Sequence, residues 1–125
     1  MDATARIRAM LEMSLDDLYA EVGREYASAQ GQLLPKPPHR YVQIAKAWLS
    51  ERREQLRAEI CGSERVRKML REPRGYDRVL LASAVTDLVA GIVTGVAPAT
   101  VAVLLVKEGV ETLCAAAGEP HEHEP

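Results

Sequence analysis

Between Arg78 and Lys107 the chain carries one charged residue, Asp87, within the apolar and small-residue stretch VLLASAVTDLVAGIVTGVAPATVAVLLV. Residues 88–106 carry no charge and are long enough to cross a bilayer, which takes about 20 apolar residues. Gly91, Gly95 and Pro98 interrupt that run, and Pro98 suits the first turn of a new helix. The weakly polar positions are also periodic: Ser83, Thr86 with Asp87, Ala90 with Gly91, and Thr94 recur every three to four residues. A lipid-facing helix has no use for such a stripe, whereas a helix at a protein surface does. The pattern therefore predicts an apolar helical hairpin, with a membrane span or re-entrant hairpin over 88–106 as the alternative.

Upstream, Ile7, Met10 and Leu11 predict a short amphipathic helix in residues 3–13. Ser14 followed by Asp16 and Asp17 is a helix start, with a capping hydroxyl and acids in the first turn. Leu15, Leu18, Tyr19, Val22 and Tyr26 then mark one helical face, which Gly23 and Gly31 are expected to soften and end. The segment GQLLPKPPH reads as a loop, because Pro35, Pro37 and Pro38 deny it helical hydrogen bonds. A long helix follows from about His39 to Cys61, burying Tyr41, Ile44, Ala45, Trp48, Leu49, Leu56 and Ile60, and Gly62 ends it. Ser63 caps a short helix that Pro73 terminates, and Asp77 caps the apolar segment. No strand alternation and no fixed repeat occur. The expected fold is all-α: a small helical bundle of about five or six helices ending in the apolar hairpin. Residues 1–118 form the single domain and 119–125 a disordered acidic tail.

The chain has 125 residues, of which 47% are hydrophobic and 27% charged, a globular balance that argues against disorder. With 4% aromatics and no Phe, the core must come from Leu, Val, Ile, Ala and Met. Charge is uneven: from Arg40 to Arg78, 11 basic residues stand against six acidic ones. That segment is near +5 and the remainder near −7, within a net charge of −2. Cys61 and Cys114 are isolated thiols, which fit a reducing cytoplasm better than a secreted disulfide scaffold, although the spacing leaves pairing open. The N-terminus has no secretory signal pattern.

Candidate chemistry is sparse. His121 and His123 alternate with Glu122 and Glu124, but a metal site needs ligands on a rigid frame, so neither metal nor cofactor is expected. Gly-rich phosphate loops, G-x-S-x-G and H-E-x-x-H are absent, and the acids Asp16, Asp17, Glu21 and Glu25 read as an ordinary charged helix face. An enzyme is not expected. Arg52, Arg53, Arg57, Arg67, Lys68 and Arg71 are candidate polyanion contacts, yet interleaved Glu residues and missing aromatics weaken a nucleic-acid reading of 52–71. Asp87, Gly91, Gly95, Ala99 and Ala102 are candidate interface residues: a carboxylate anchor on an apolar helix and small residues that admit a close neighbour.

These features lead to a non-enzymatic helical interaction module or small subunit of a cytoplasmic, bacterial assembly. Residues 79–106 hold more apolar side chains than two helices bury on one side of a small domain. A protein partner or a homo-oligomer is therefore expected. The alternative is membrane insertion through 88–106, and the third reading is a nucleic-acid-associated domain using 52–71.

Overall fold

The computed structural model describes residues 2–115, and over them the protein is an all-α bundle. Its helices are α1 (Ala3–Leu11), α2 (Leu15–Ala29), α3 (Pro38–Cys61), α4 (Glu64–Leu70), α5 (Arg78–Val89) and α6 (Pro98–Glu108). A further helical stretch covers residues 110–115, so the apolar hairpin is not the last element. The expected tail over 119–125, with His121 and His123, lies outside the described residues.

The helix starts follow local chemistry. Asp2, Ser14, Ser63 and Asp77 each accept a backbone N–H from the first turn of α1, α2, α4 and α5. This satisfies donors that have no partner within the helix. Pro38 and Pro98 open α3 and α6, where the missing N–H costs nothing. Ala97, just before α6, has no capping side chain of its own. Glu25 from α2 takes that part: Oε1 accepts from the Ala97 N–H at 2.9 Å and Oε2 from the Thr100 hydroxyl at 3.2 Å.

Helices α2 and α3 run in the same direction. Asp16, Asp17 and Ala20 near the start of α2 lie beside Pro38, His39 and Val42, and Tyr26 near its end packs on Trp48. The crossing passes through Gly23, where a Cβ would lie 2.0 Å from the Tyr41 carbonyl oxygen. Gly23 therefore does not end α2, as its sequence context suggests; it lets α3 approach backbone to backbone. Parallel neighbours force the connection to retrace the whole of α2. Residues 30–37 span at most ~26–29 Å extended, against roughly 22 Å for the 15 residues of α2. An extended, proline-rich strap is what that distance demands.

Helix α6 is the centre of the bundle. Every residue from Thr100 to Val106 is buried, with α1, α2 and α5 packed around it. A helix apolar on all sides belongs in a core. Most apolar side chains of 79–106 are thus spent inside the protein, while Leu80 on α5 stays exposed. No helix among the described residues is long and apolar enough to cross a membrane. The residues 88–106 break instead into the end of α5, a loop over 90–97 plugged by Val93 and Val96, and α6.

Two long-range ties close the molecule. Lys107 donates to the carbonyls of Leu11 and Met13, satisfying acceptors where α1 ends. Cys61 and Cys114, read from sequence as isolated thiols, form a disulfide joining the end of α3 to the C-terminal helical stretch.

Candidate functional site

The strap between α2 and α3 carries the two most exposed large apolar side chains of the described residues. Leu33 is 80% and Leu34 81% exposed, while Leu80 follows at 55%. The geometry around the pair is fixed on both sides. On one side, the Gln32 N–H donates to the Ala27 carbonyl at 2.9 Å, closing the end of α2. On the other, the Lys36 N–H donates to the hydroxyl of the buried Tyr41 at 3.1 Å. Tyr41 is itself held by the Gly23 crossing and by the Arg24 guanidinium, 5.1 Å above its ring.

Between these anchors the backbone has little freedom. Leu34, Lys36 and Pro37 each precede a proline, which excludes the helical region for them. Pro37 has φ −63° and ψ 152°, the polyproline II conformation. Pro35 and Pro37 carry no N–H, so the strap cannot add to a sheet through those positions. The result is two leucines held outward on a segment pinned at both ends, which bends at Leu34 and is flanked by Lys36, His39 and Arg40. The sequence places the loop correctly but gives no reason to single out its leucines, because their exposure depends on the direction of α3.

The residues singled out from sequence do not form one surface. Asp87 is exposed on α5, with its side chain 3.9 Å from Arg65. Gly91 lies in the 90–97 loop, where nothing approaches its missing Cβ. Gly95 adopts φ +83°, and a Cβ there would meet the Ala29 methyl at 3.3 Å. The G-x-x-x-G spacing is therefore a turn and not a helix face. Ala99 is half-buried in the first turn of α6, and Ala102 is fully buried within it.

The basic stretch is largely spoken for by its neighbours. Arg52 stacks 4.6 Å over Trp48 and donates to that residue's carbonyl. Arg53 faces Glu108 at 3.7 Å, Arg57 pairs with Glu54, and Arg67 and Arg71 share Glu64. Lys68 is exposed on α4. Hydrogen bonding from Arg67 holds the exposed Glu64 carboxyl below its usual range. Exposed pairs of this kind contribute little stability, but they do divide a positive field into local dipoles.

Burial shifts three other groups. It pushes up the carboxyls of Glu25, against the opposing hydrogen bond from Ala97, and of Glu108. The Tyr76 hydroxyl is raised to about 12, by burial and by its hydrogen bond to the Glu111 carboxylate. Glu25 is a helix cap, Glu108 an arginine partner, and Tyr76 a tie between the α4–α5 loop and the C-terminal helical stretch. No protein-family model, curated protein or solved structure matches the chain.

Proposed function

We propose that this protein is a non-enzymatic helical interaction module, and that it engages a protein partner through the Leu33–Leu34 strap. The single observation that carries this reading is the exposure of both leucines on a segment pinned at Gln32 and Lys36. Leaving them in water forgoes roughly 1.5–3 kcal/mol for each. Pinning the segment at both ends lowers the ordering cost when an apolar groove closes over them. The cations Lys36 and Arg40 beside the strap favour a groove with acidic edges.

The candidate interface on α5 and α6 recedes in this reading, since its small residues lie in the core or in a turn. The nucleic-acid reading is disfavoured by the carboxylates already paired with Arg57, Arg67 and Arg71. A cytoplasmic setting fits two separate thiols better, whereas the Cys61–Cys114 bond favours an oxidising compartment.

Site-specific photo-crosslinking tests the reading. A photoreactive side chain at position 34 of the full chain, in cells of its source, is expected to give a discrete protein adduct. The same group at Ser50, exposed on α3, gives none. An adduct of twice the chain's mass identifies a second copy as the partner. Crosslinks to lipid alone, or labelling equal to that at Ser50, overturn the proposal.

A further inference from the structure

Where the strap runs into α3, a groove of about 360 Å³ opens between the starts of α2 and α3. Ala20 on α2 and Pro38 and Val42 on α3 give it apolar walls. Asp16 and Asp17 line its α2 side, and His39 and Gln43 complete the other. Pro38 is both the end of the strap and a wall of this groove. Leu34 lies four residues before it, so the two are at most ~14 Å apart along the chain. The leucines nevertheless stay out of the chain's own groove, because the bonds at Gln32 and Lys36 hold them outward.

The charges on this surface are uncommitted. Among the described residues, Asp16 and Asp17 are not paired with any cation, and Lys36 and Arg40 are not paired with any acid. One face of the molecule therefore carries an apolar ridge with free cations and, next to it, an apolar groove with free carboxylates. A surface that holds both halves of a contact is what a two-fold dimer requires, since each half then meets its complement twice.

We infer that the partner engaged by the strap is a second copy of this chain, an inference that rests on the strap being the contact surface. Leu33 and Leu34 of each copy lie along Ala20, Pro38 and Val42 of the other. Lys36 and Arg40 of each copy face Asp16 and Asp17 of the other across the axis, which fixes the register of the pair.

Sedimentation of the full, oxidised chain at neutral pH tests this. Two small patches make a weak interface, so a monomer at about 1 μM and a dimer at about 1 mM are expected. Leu33→Ser with Leu34→Ser should weaken association at least about tenfold. Two charge-reversed chains give the decisive measurement. Lys36→Glu with Arg40→Glu puts acids on both ridge and groove, and Asp16→Lys with Asp17→Lys puts cations on both. Each alone is expected to remain a monomer at about 1 mM, because like charges then meet. Their equimolar mixture is expected to dimerise, since every strap then finds a groove of opposite charge; mixing does not repair a merely structural defect. Should Asp16→Lys with Asp17→Lys lose its helical spectrum, Asp16→Asn with Asp17→Asn takes its place and should weaken self-association about tenfold. A native chain still monomeric at about 1 mM, association unchanged in the folded leucine or neutral variants, or a mixture that associates no better than its components overturns the inference. Photo-crosslinking at position 34 separates the two failures. An adduct with a different protein, on a monomeric chain, overturns the second copy but keeps the strap as the contact, whereas no protein adduct removes both.

Discussion

Trp48 illustrates how a residue's place can follow from spacing alone. It shares a face with Tyr41, Ala45, Leu56 and Ile60, and it is 2% exposed, against Tyr26 and beneath the Arg52 guanidinium. Trp48→Ala is expected to cost about 3–5 kcal/mol, a large part of a small domain's stability. Urea unfolding measures this, and the native fluorescence should be blue-shifted; a red-shifted, readily quenched spectrum would contradict the burial. Gly23 is the opposite case, since its neighbour is 18 residues away and no local pattern announces it. A methyl group there would lie 2.0 Å from the Tyr41 carbonyl oxygen, on backbone that cannot rotate aside. Gly23→Ala is therefore expected to lower the melting temperature strongly, although it raises helix propensity by about 1 kcal/mol. Gly91→Ala, with nothing within 4 Å, is expected to leave it nearly unchanged. Equal melting temperatures for the two variants would remove the close crossing from the account.

At the scale of elements, the helix starts were legible because caps are local: Ser14, Ser63, Asp77 and Pro98 all act within one turn. The α6 start is only half local. Pro98 shapes it, but the acceptor for the Ala97 N–H is Glu25, 72 residues away. In the sequence Glu25 is one acid among several on a charged face, so its role could not be read. Glu25→Ala leaves the Ala97 N–H and the buried Thr100 hydroxyl without their acceptor. A loss of about 1–3 kcal/mol is expected. Glu25→Gln retains one acceptor oxygen and should lose less. The pH dependence has a definite sign. Burial raises the folded-state carboxyl above its ordinary value of 4.5, so the folded state holds that proton more tightly. The stability associated with the proton is complete below that value and lost as pH rises through the folded-state pKa. Relative to Glu25→Gln, the wild type should therefore lose stability between acid and neutral pH. A difference that grows with rising pH would show the carboxylate gaining more from Ala97 and Thr100 than burial costs it.

At the scale of the whole molecule, the apolar run was readable as hairpin or span, but its position in the bundle was not. Pro98 and the polar stripe decide against a continuous helix. That α6 becomes the enclosed element depends on α1 and α2 wrapping it, which composition cannot express. The disulfide escaped for the same reason: Cys61 and Cys114 are separated by 53 positions, and only the packing brings their Cα atoms to 5.4 Å. Closing a loop of that length restricts the unfolded chain strongly, with an ideal stabilisation of about 4 kcal/mol. The bond also anchors the helical stretch that carries Val110 and Leu113, both buried. Reduction, or Cys114→Ser, is therefore expected to lower the urea midpoint substantially while the far-ultraviolet helical signal of the native state stays nearly constant. The core around α6 is complete without the bond, so folding remains cooperative. The strap lies elsewhere, and replacing both exposed leucines with serine should change the unfolding free energy from the same titration by no more than about 0.5 kcal/mol in either redox state. Two readily titrated thiols in the oxidatively purified native chain, or a midpoint indifferent to reductant, would show that the Cys61–Cys114 bond does not hold the C-terminal stretch in place.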